Sequence, residues 1–224
     1  MCGRFACVTA PEALQRLFET TTDLRTFPPR WNIAPSQDIA VVRFNPENGQ
    51  RALDLLRWGL IPHWAKDPGI AAKLINARAE TLLEKPSFRQ AFQRRRCLIP
   101  ADHFYEWAPG AKPRQPYLIK PSAGGLFSFA GLWENWRAAD GTWLRTVTLI
   151  TTTANAAMAA VHDRMPVIIP PRLWPLWLGE EPATPADLAA LLQPPPAEAI
   201  TLVPVGIAVN SVAREGPEVA VALA

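Results

Sequence analysis

Cysteine, histidine and lysine are all scarce in this chain of 224 residues, with three, three and five copies respectively. The cysteines, Cys2, Cys7 and Cys97, are odd in number and form no CxxC pair, so neither a disulfide framework nor a zinc site is supported. A metal would have to draw on His63, His103 and His162, and neither a metal nor a cofactor is expected. No run of about 18 apolar residues exists, which excludes a transmembrane helix. The amino-terminal stretch has no apolar core of the signal-peptide kind, so the expected location is cytoplasmic. Net charge is low at +3, which permits a nucleic-acid partner without demanding one.

Proline and arginine are abundant by contrast. The 24 prolines are roughly twice the usual share and argue against long helices. Of 23 basic residues, 18 are arginine, a side chain suited to bidentate phosphate contact, although base composition of the genome explains such a bias equally well. Apolar residues at 49% and charged residues at 19% give an ordinary globular balance.

Pro11–Thr20 reads as a short helix, with Ala13, Leu14, Leu17 and Phe18 at helical spacing behind a proline. Residues 27–36 (FPPRWNIAPS) read as a proline-rich loop. Ile39–Phe44 and Ala52–Trp58 are strand-like and are joined by a turn at Asn45–Gly49. Ile61–Gly69 reads as a loop displaying His63 and Trp64. Asn76–Leu83 and Ser87–Arg95 read as two helices divided at Pro86. Strands are expected at Arg96–Pro100, Asp102–Trp107, Tyr117–Lys120, Leu126–Trp133, Leu144–Thr152, Val167–Ile169 and Leu202–Val205, with helices near Leu173–Leu178 and Pro185–Leu192. Strands mixed with short helices, without regular βα alternation, predict one α+β domain over residues 1–224. Its core is expected to be a sheet-rich, mixed, barrel-like one with short peripheral helices.

The amino end carries the most chemistry. A free cysteine is usually a small buried hydrophobe. At position 2, however, removal of Met1 would give Cys2 a free α-amine beside its thiol. That pair condenses with an aldehyde to a Schiff base, which the thiol closes to a five-membered thiazolidine; tethering favours the closure. The α-amine, with a reference pKa near 7.7–8.0, is neutral for roughly a tenth of molecules at pH 7. Met-Cys-Gly also opens the class II glutamine amidotransferases, in which the thiol attacks an amide, so the tripeptide leaves both chemistries open.

Six blocks, MCGRF (1–5), WGLIPHWAKD (58–67), NARAET (76–81), CLIPADHFYEW (97–107), VHDRMPVII (161–169) and VNSVAREGPE (209–218), resemble one family over nearly the whole length, the SOS response-associated peptidase (SRAP) family. The resemblance implies a sensor of abasic sites in single-stranded DNA that crosslinks itself to the lesion through Cys2 after clipping its own Met1; a monomer is expected, although nothing in the sequence fixes the oligomeric state. It implies a role in the DNA damage response, with the protein on the nucleoid when bound to DNA. Asn76 would orient the Cys2 amine or the sugar, unless it is a helix N-cap. Arg78 would contact phosphate, or be a solvated helix arginine. Trp64 and Pro35 resemble the wedge elements that splay bases beside the lesion.

Glu106 lies between Tyr105 and Trp107 in a strand, a locally discordant place for a carboxylate unless it faces water. Partial desolvation would raise its pKa and let it act as acid and base in turn. His162 would assist Schiff-base formation or steady the ring oxygen; a structural histidine is the alternative. Arg164 and Arg4 are candidate phosphate contacts, and Asp163 is expected to hold a neighbouring arginine. The Arg94-Arg95-Arg96 run suits either DNA or the end of a helix. His103 stands where the family usually has glycine, a strained place if positive φ is required. Two other functions compete: an amidase or peptidase acting by thiol attack, and a non-catalytic single-strand DNA-binding module with salt-sensitive affinity.

Overall fold

The computed structural model describes residues 2–21, 26–110 and 112–223. In chain order the elements are β1 (Phe5–Cys7), α1 (Pro11–Phe18), β2 (Arg30–Ile33), β3 (Asp38–Asn45), β4 (Gln50–Trp58), β5 (Asn76–Arg78), α2 (Pro86–Arg94), β6 (Arg96–Ala101) and β7 (His103–Trp107). There follow β8 (Pro116–Pro121), β9 (Phe127–Arg137), β10 (Trp143–Thr153), β11 (Arg164–Pro166), α3 (Trp174–Leu178), α4 (Pro185–Ala190) and β12 (Ile200–Pro204).

The proline content is explained by the helices. Each of α1 to α4 has proline in its first two positions, where the missing N–H costs nothing and the fixed φ is already helical. Proline therefore starts helices here and keeps them short. Pro86 opens α2 rather than dividing two helices.

Strands β4, β3, β6, β9 and β10 close on themselves. The β3–β4 hairpin turns at Asn45 and Gln50, β3 meets β6 at Val42 and Leu98, and β6 runs antiparallel to β9. β9 pairs with β10, and β10 returns to β4 in parallel through Thr146–Arg57 and Val147–Trp58. The ring is a small mixed barrel without free edges. Beyond its closure β10 also carries β5 in parallel and β11 antiparallel. A second, antiparallel sheet has the order β12-β8-β7-β1-β2.

The two sheets are joined at Asp102, the one residue between β6 and β7. Its carboxylate accepts from the amides of Val8 and Thr9 and from the Thr9 hydroxyl at 2.6 to 3.0 Å. Below it, Phe5 packs edge-on against Trp58 and Phe129, and Phe104 against Phe129. Each buried ring stabilises by about 1.5–3 kcal/mol, so β1 and β7 are seated firmly on the barrel.

Three expected elements differ. The proline-rich loop 27–36 contains β2, because Ile33 pairs with Phe5 and Glu215 accepts the amides of Trp31 and Asn32. The helix expected at Asn76–Leu83 is β5 followed by a 3-10 turn at Ala79–Thr81, since pairing with Leu149, Ile150 and Thr151 overrides local helical preference. The strand expected at Val167–Ile169 lies earlier, at β11, leaving one isolated bridge from Ile168 to Phe129.

His103 takes an ordinary strand conformation. Among the described non-glycine residues, the left-handed region is occupied by Glu19 and Ser36. The imidazole is buried, and its Nε2 lies 2.8 Å from the Tyr105 hydroxyl, which itself donates to Trp31 O. Nε2 therefore carries the proton, and burial pushes the His103 pKa down to about 4. Strand alternation puts His103 and Tyr105 on the face of β7 opposite Phe104 and Glu106.

Candidate active site

Three separate pieces of chain meet at the amino end of β1. Cys2 is fully buried. Asn76, the first residue of β5, is fixed by its pairing with Leu149 and donates from Nδ2 to the Cys2 carbonyl at 2.9 Å. Its Oδ1 is buried and has no hydrogen-bond partner among the described residues. On the other side, the Tyr105 amide donates to Arg4 O at 2.9 Å, next to the Phe5–Phe104 pair. One further step along that register brings Glu106 opposite Gly3.

Glu106 is 4% exposed. Burial raises its pKa above the ordinary carboxylate value, while the amino-terminal charge and His162 pull it down. Burial also pushes the Cys2 thiol up, and the Glu106 charge adds to the rise. A thiol in that setting is protonated at neutral pH and is a poor opening nucleophile. A carboxyl whose pKa is raised by burial beside it is suited to give and then take a proton.

His162 follows a 3-10 turn at Met158–Ala160, and its amide is tied to Met158 O at 3.0 Å. Its Nδ1 accepts from the Arg164 amide at 3.0 Å and lies 2.8 Å from a carboxylate oxygen of Asp163. Nδ1 can serve the amide only when unprotonated, which leaves the proton on Nε2 as a donor. Asn76 thus touches Cys2, and the charges of Glu106 and His162 act within the same neighbourhood.

The expected DNA contacts separate into two groups. Arg78 is exposed at the end of β5, Trp64 is 51% exposed, and Pro35 is half-buried beside the left-handed Ser36. Arg164, in contrast, is turned inward. Its guanidinium grips both oxygens of Glu80 at 2.6 and 3.0 Å and donates to Thr151 O at 2.6 Å. The carboxylate holding this arginine is Glu80, not Asp163 as expected from adjacency. Arg4 is half-buried, with Nη1 on Asn32 Oδ1 and Val209 O at 2.8 and 2.7 Å and its guanidinium 5.6 Å from the Trp107 ring.

The arginine run also resolves. Arg96 caps the carbonyls of Phe92 and Gln93 at the end of α2, and Arg95 pairs with Glu134. Sequence reasoning missed Glu134. This carboxylate, 2% exposed, accepts from the His63 amide at 2.9 Å and lies 3.0 Å from His63 Nδ1, anchoring the loop that carries Trp64. Trp136 Nε1 ties the same loop through Ala65 O at 2.7 Å. An acid between tryptophans in LWENW, the same discordance that marked Glu106, was the available signal. Among the described residues no group of three or more His, Cys, Asp or Glu is placed to hold a metal.

A family model for SOS response associated peptidase (SRAP) matches residues 1–212. The chain is 43% identical over 221 residues to the abasic site processing protein YoqW of Bacillus subtilis, covering 97% of this chain and 98% of that one. It is 30% identical to the abasic site processing protein HMCES of Xenopus tropicalis, covering 97% of this chain and 77% of the relative. Among solved structures, a Bacteroides thetaiotaomicron protein superposes with a TM-score of 0.86 at 22% identity, covering 97% and 96% of the two chains. A phage-related protein from Bordetella bronchiseptica superposes at 0.71 with 33% identity, covering 91% and 94%.

Proposed function

Since the chain belongs to the SOS response associated peptidase (SRAP) family, we propose that it processes abasic sites in single-stranded DNA by crosslinking itself to the lesion through Cys2. The crosslink shields the lesion during the DNA damage response. The observation that carries the reading is the grip of Asn76 on the Cys2 carbonyl beside a buried carboxyl of raised pKa.

The chemistry begins with hydrolysis of the Met1–Cys2 bond by the protein itself, in which water supplies hydroxyl to methionine and a proton to the Cys2 amine. That neutral amine adds to C1′ of the open-chain deoxyribose. Glu106 protonates the departing hydroxyl, water leaves, and the resulting carboxylate takes a proton back from nitrogen, so that an imine remains. The thiol then adds across the C=N bond, its proton passing through Glu106 to nitrogen, and the thiazolidine closes. The raised pKa of the thiol supports this order, amine first and thiol second, over thiolate attack on an amide.

Asn76 holds the carbonyl of Cys2, and its free Oδ1 is suited to accept from the new amine. His162, with Nε2–H as donor, steadies the sugar oxygen and shares the proton traffic of Glu106. Arg78 is the exposed phosphate contact. Arg4 and Arg164 reach phosphate only if DNA draws them from their present partners, and otherwise hold the chain ends that flank the site. Pro35 and Trp64 stand against the bases on either side, where stacking is worth roughly 1–3 kcal/mol per base and accepts any sequence.

The test mixes the protein with single-stranded DNA bearing one abasic site and separates the products on a denaturing gel. A heat-stable shifted band is expected that requires both the lesion and Cys2. Ammonia release from glutamine without any band would favour the amidase chemistry instead.

A further inference from the structure

The outer wall of the barrel carries a groove that the crosslinking chemistry does not use. A cleft of about 620 Å3 begins at Pro35 and Ile75, the neighbour of Asn76, and runs between the Pro68–Lys73 turn and β4. A second cleft, of about 460 Å3, continues from it, sharing Arg57 and Leu144 and ending at Trp143 and Arg145. Trp143 is 59% exposed, more than Trp64. It lies six residues before Leu149, the partner of Asn76, about 20 Å along β10 at the usual rise.

The charge of the groove suits one class of ligand. Arg57 is exposed in its middle, and its side chain makes no hydrogen bond or ion pair among the described residues. Arg145 is 53% exposed, its nearest acid Asp54 being 4.0 Å away, and Arg137 lies 5.8 Å from the Trp143 ring. The acid lining the groove is Asp38, opposite Arg57 on β3. An exposed indole amid spaced arginines, in a groove that starts at Pro35 and Ile75, is the composition of a single-strand stacking platform.

We propose that this groove is a second nucleic-acid subsite, holding single-stranded DNA on one side of the lesion over about six nucleotides at a stacked spacing of 3.4 Å. A base stacks on Trp143, and Arg57 and Arg145 meet the phosphates leading to it. The proposal rests on the abasic-site reading for its ligand, but its noncovalent binding can be measured apart from the crosslink.

The experiment measures fluorescence anisotropy of a labelled, undamaged 20-nucleotide single strand with the wild-type protein and the Trp143→Ala, Trp143→Phe and Arg57→Gln variants over a salt series. Trp143→Ala is expected to weaken binding about fivefold or more, with Trp143→Phe restoring most of it. Arg57→Gln is expected to lower the slope of log affinity against log salt by about 0.7. Wild-type affinity and slope in all three variants would overturn the subsite, even if the wild type crosslinks normally. Weakened variants with no crosslink by the wild type would keep the subsite and remove the covalent reading.

Discussion

The side-chain amide of Asn76 holds the backbone carbonyl of Cys2 at 2.9 Å, although 74 residues separate the two in sequence. The strand that fixes Asn76 is itself fixed by β10, so the barrel sets the position of Cys2 directly. Displacing a reacting group by about 1 Å can cost about 100-fold in rate. Asn76→Ala is expected to slow crosslinking by roughly 10- to 100-fold. Asn76→Asp should be at least as slow, because a carboxylate cannot donate to a carbonyl. Single-turnover rates on a lesion-bearing strand check both, and a fast Asn76→Asp variant would contradict the positioning role.

Glu106 gives a signed pH dependence. Burial raises its folded pKa above the ordinary 4.5, so the folded state binds its proton more tightly than the unfolded chain. The stability contribution is fully present below pH 4.5 and is lost as pH rises through the raised folded value. Glu106→Gln should therefore be more stable than wild type at neutral pH, with the difference vanishing in acid. The same substitution should slow crosslinking and flatten the decline in rate on the alkaline side. Melting curves and rate profiles between pH 4 and 8 are the measurements. Equal pH profiles for the two proteins would remove Glu106 from proton transfer.

The other two thiols are set apart by packing. Cys7 is 3% exposed and its pKa is pushed up to about 12, and Cys97 is fully buried. Cys7→Ala and Cys97→Ala should leave crosslinking intact. A Cβ placed on Gly131 would lie 2.9 Å from Cys97 Sγ, so Gly131→Ala overfills the barrel and should cost about 1–3 kcal/mol. That corresponds to a melting point lower by roughly 2–4 °C per kcal/mol. Gly131→Ala combined with Cys97→Ala should recover part of the loss.

Glu134 links stability to the loop bearing Trp64. Removing it leaves Arg95 without its carboxylate and releases both bonds to His63. Glu134→Ala is expected to destabilise by about 3 kcal/mol, somewhat less where Arg95 reaches water. It should also weaken single-strand affinity beyond what His63→Ala does. Unchanged affinity in a folded Glu134→Ala protein would separate the loop anchor from binding.

What was legible in the sequence was whatever depends on neighbours. The β3–β4 hairpin is written in its turn residues and alternating strands, and α1 in its proline and apolar spacing. β2 and β5 were not legible, since their partners are Phe5 and Leu149, far off in the chain. In the site, the ordered blocks brought forward Cys2, Asn76, Glu106 and His162. Pairings that cross the fold were hidden: Arg164 with Glu80 spans 84 residues, and Arg4 with Val209 spans 205. Arg4 looks free in sequence because nothing local neutralises it, and the Asp163 adjacent to Arg164 points to the wrong carboxylate.

The most direct test of the account maps the crosslink itself. The DNA of the purified adduct is digested away, the protein is cleaved, and the peptides are read by mass spectrometry after treatment with borohydride and a thiol-alkylating reagent. The account predicts a peptide that begins at Cys2, carries the sugar remnant, resists reduction and takes up no alkyl group, as a thiazolidine requires. A remnant on a lysine, or an amino-terminal peptide with its thiol still open to alkylation, would contradict it.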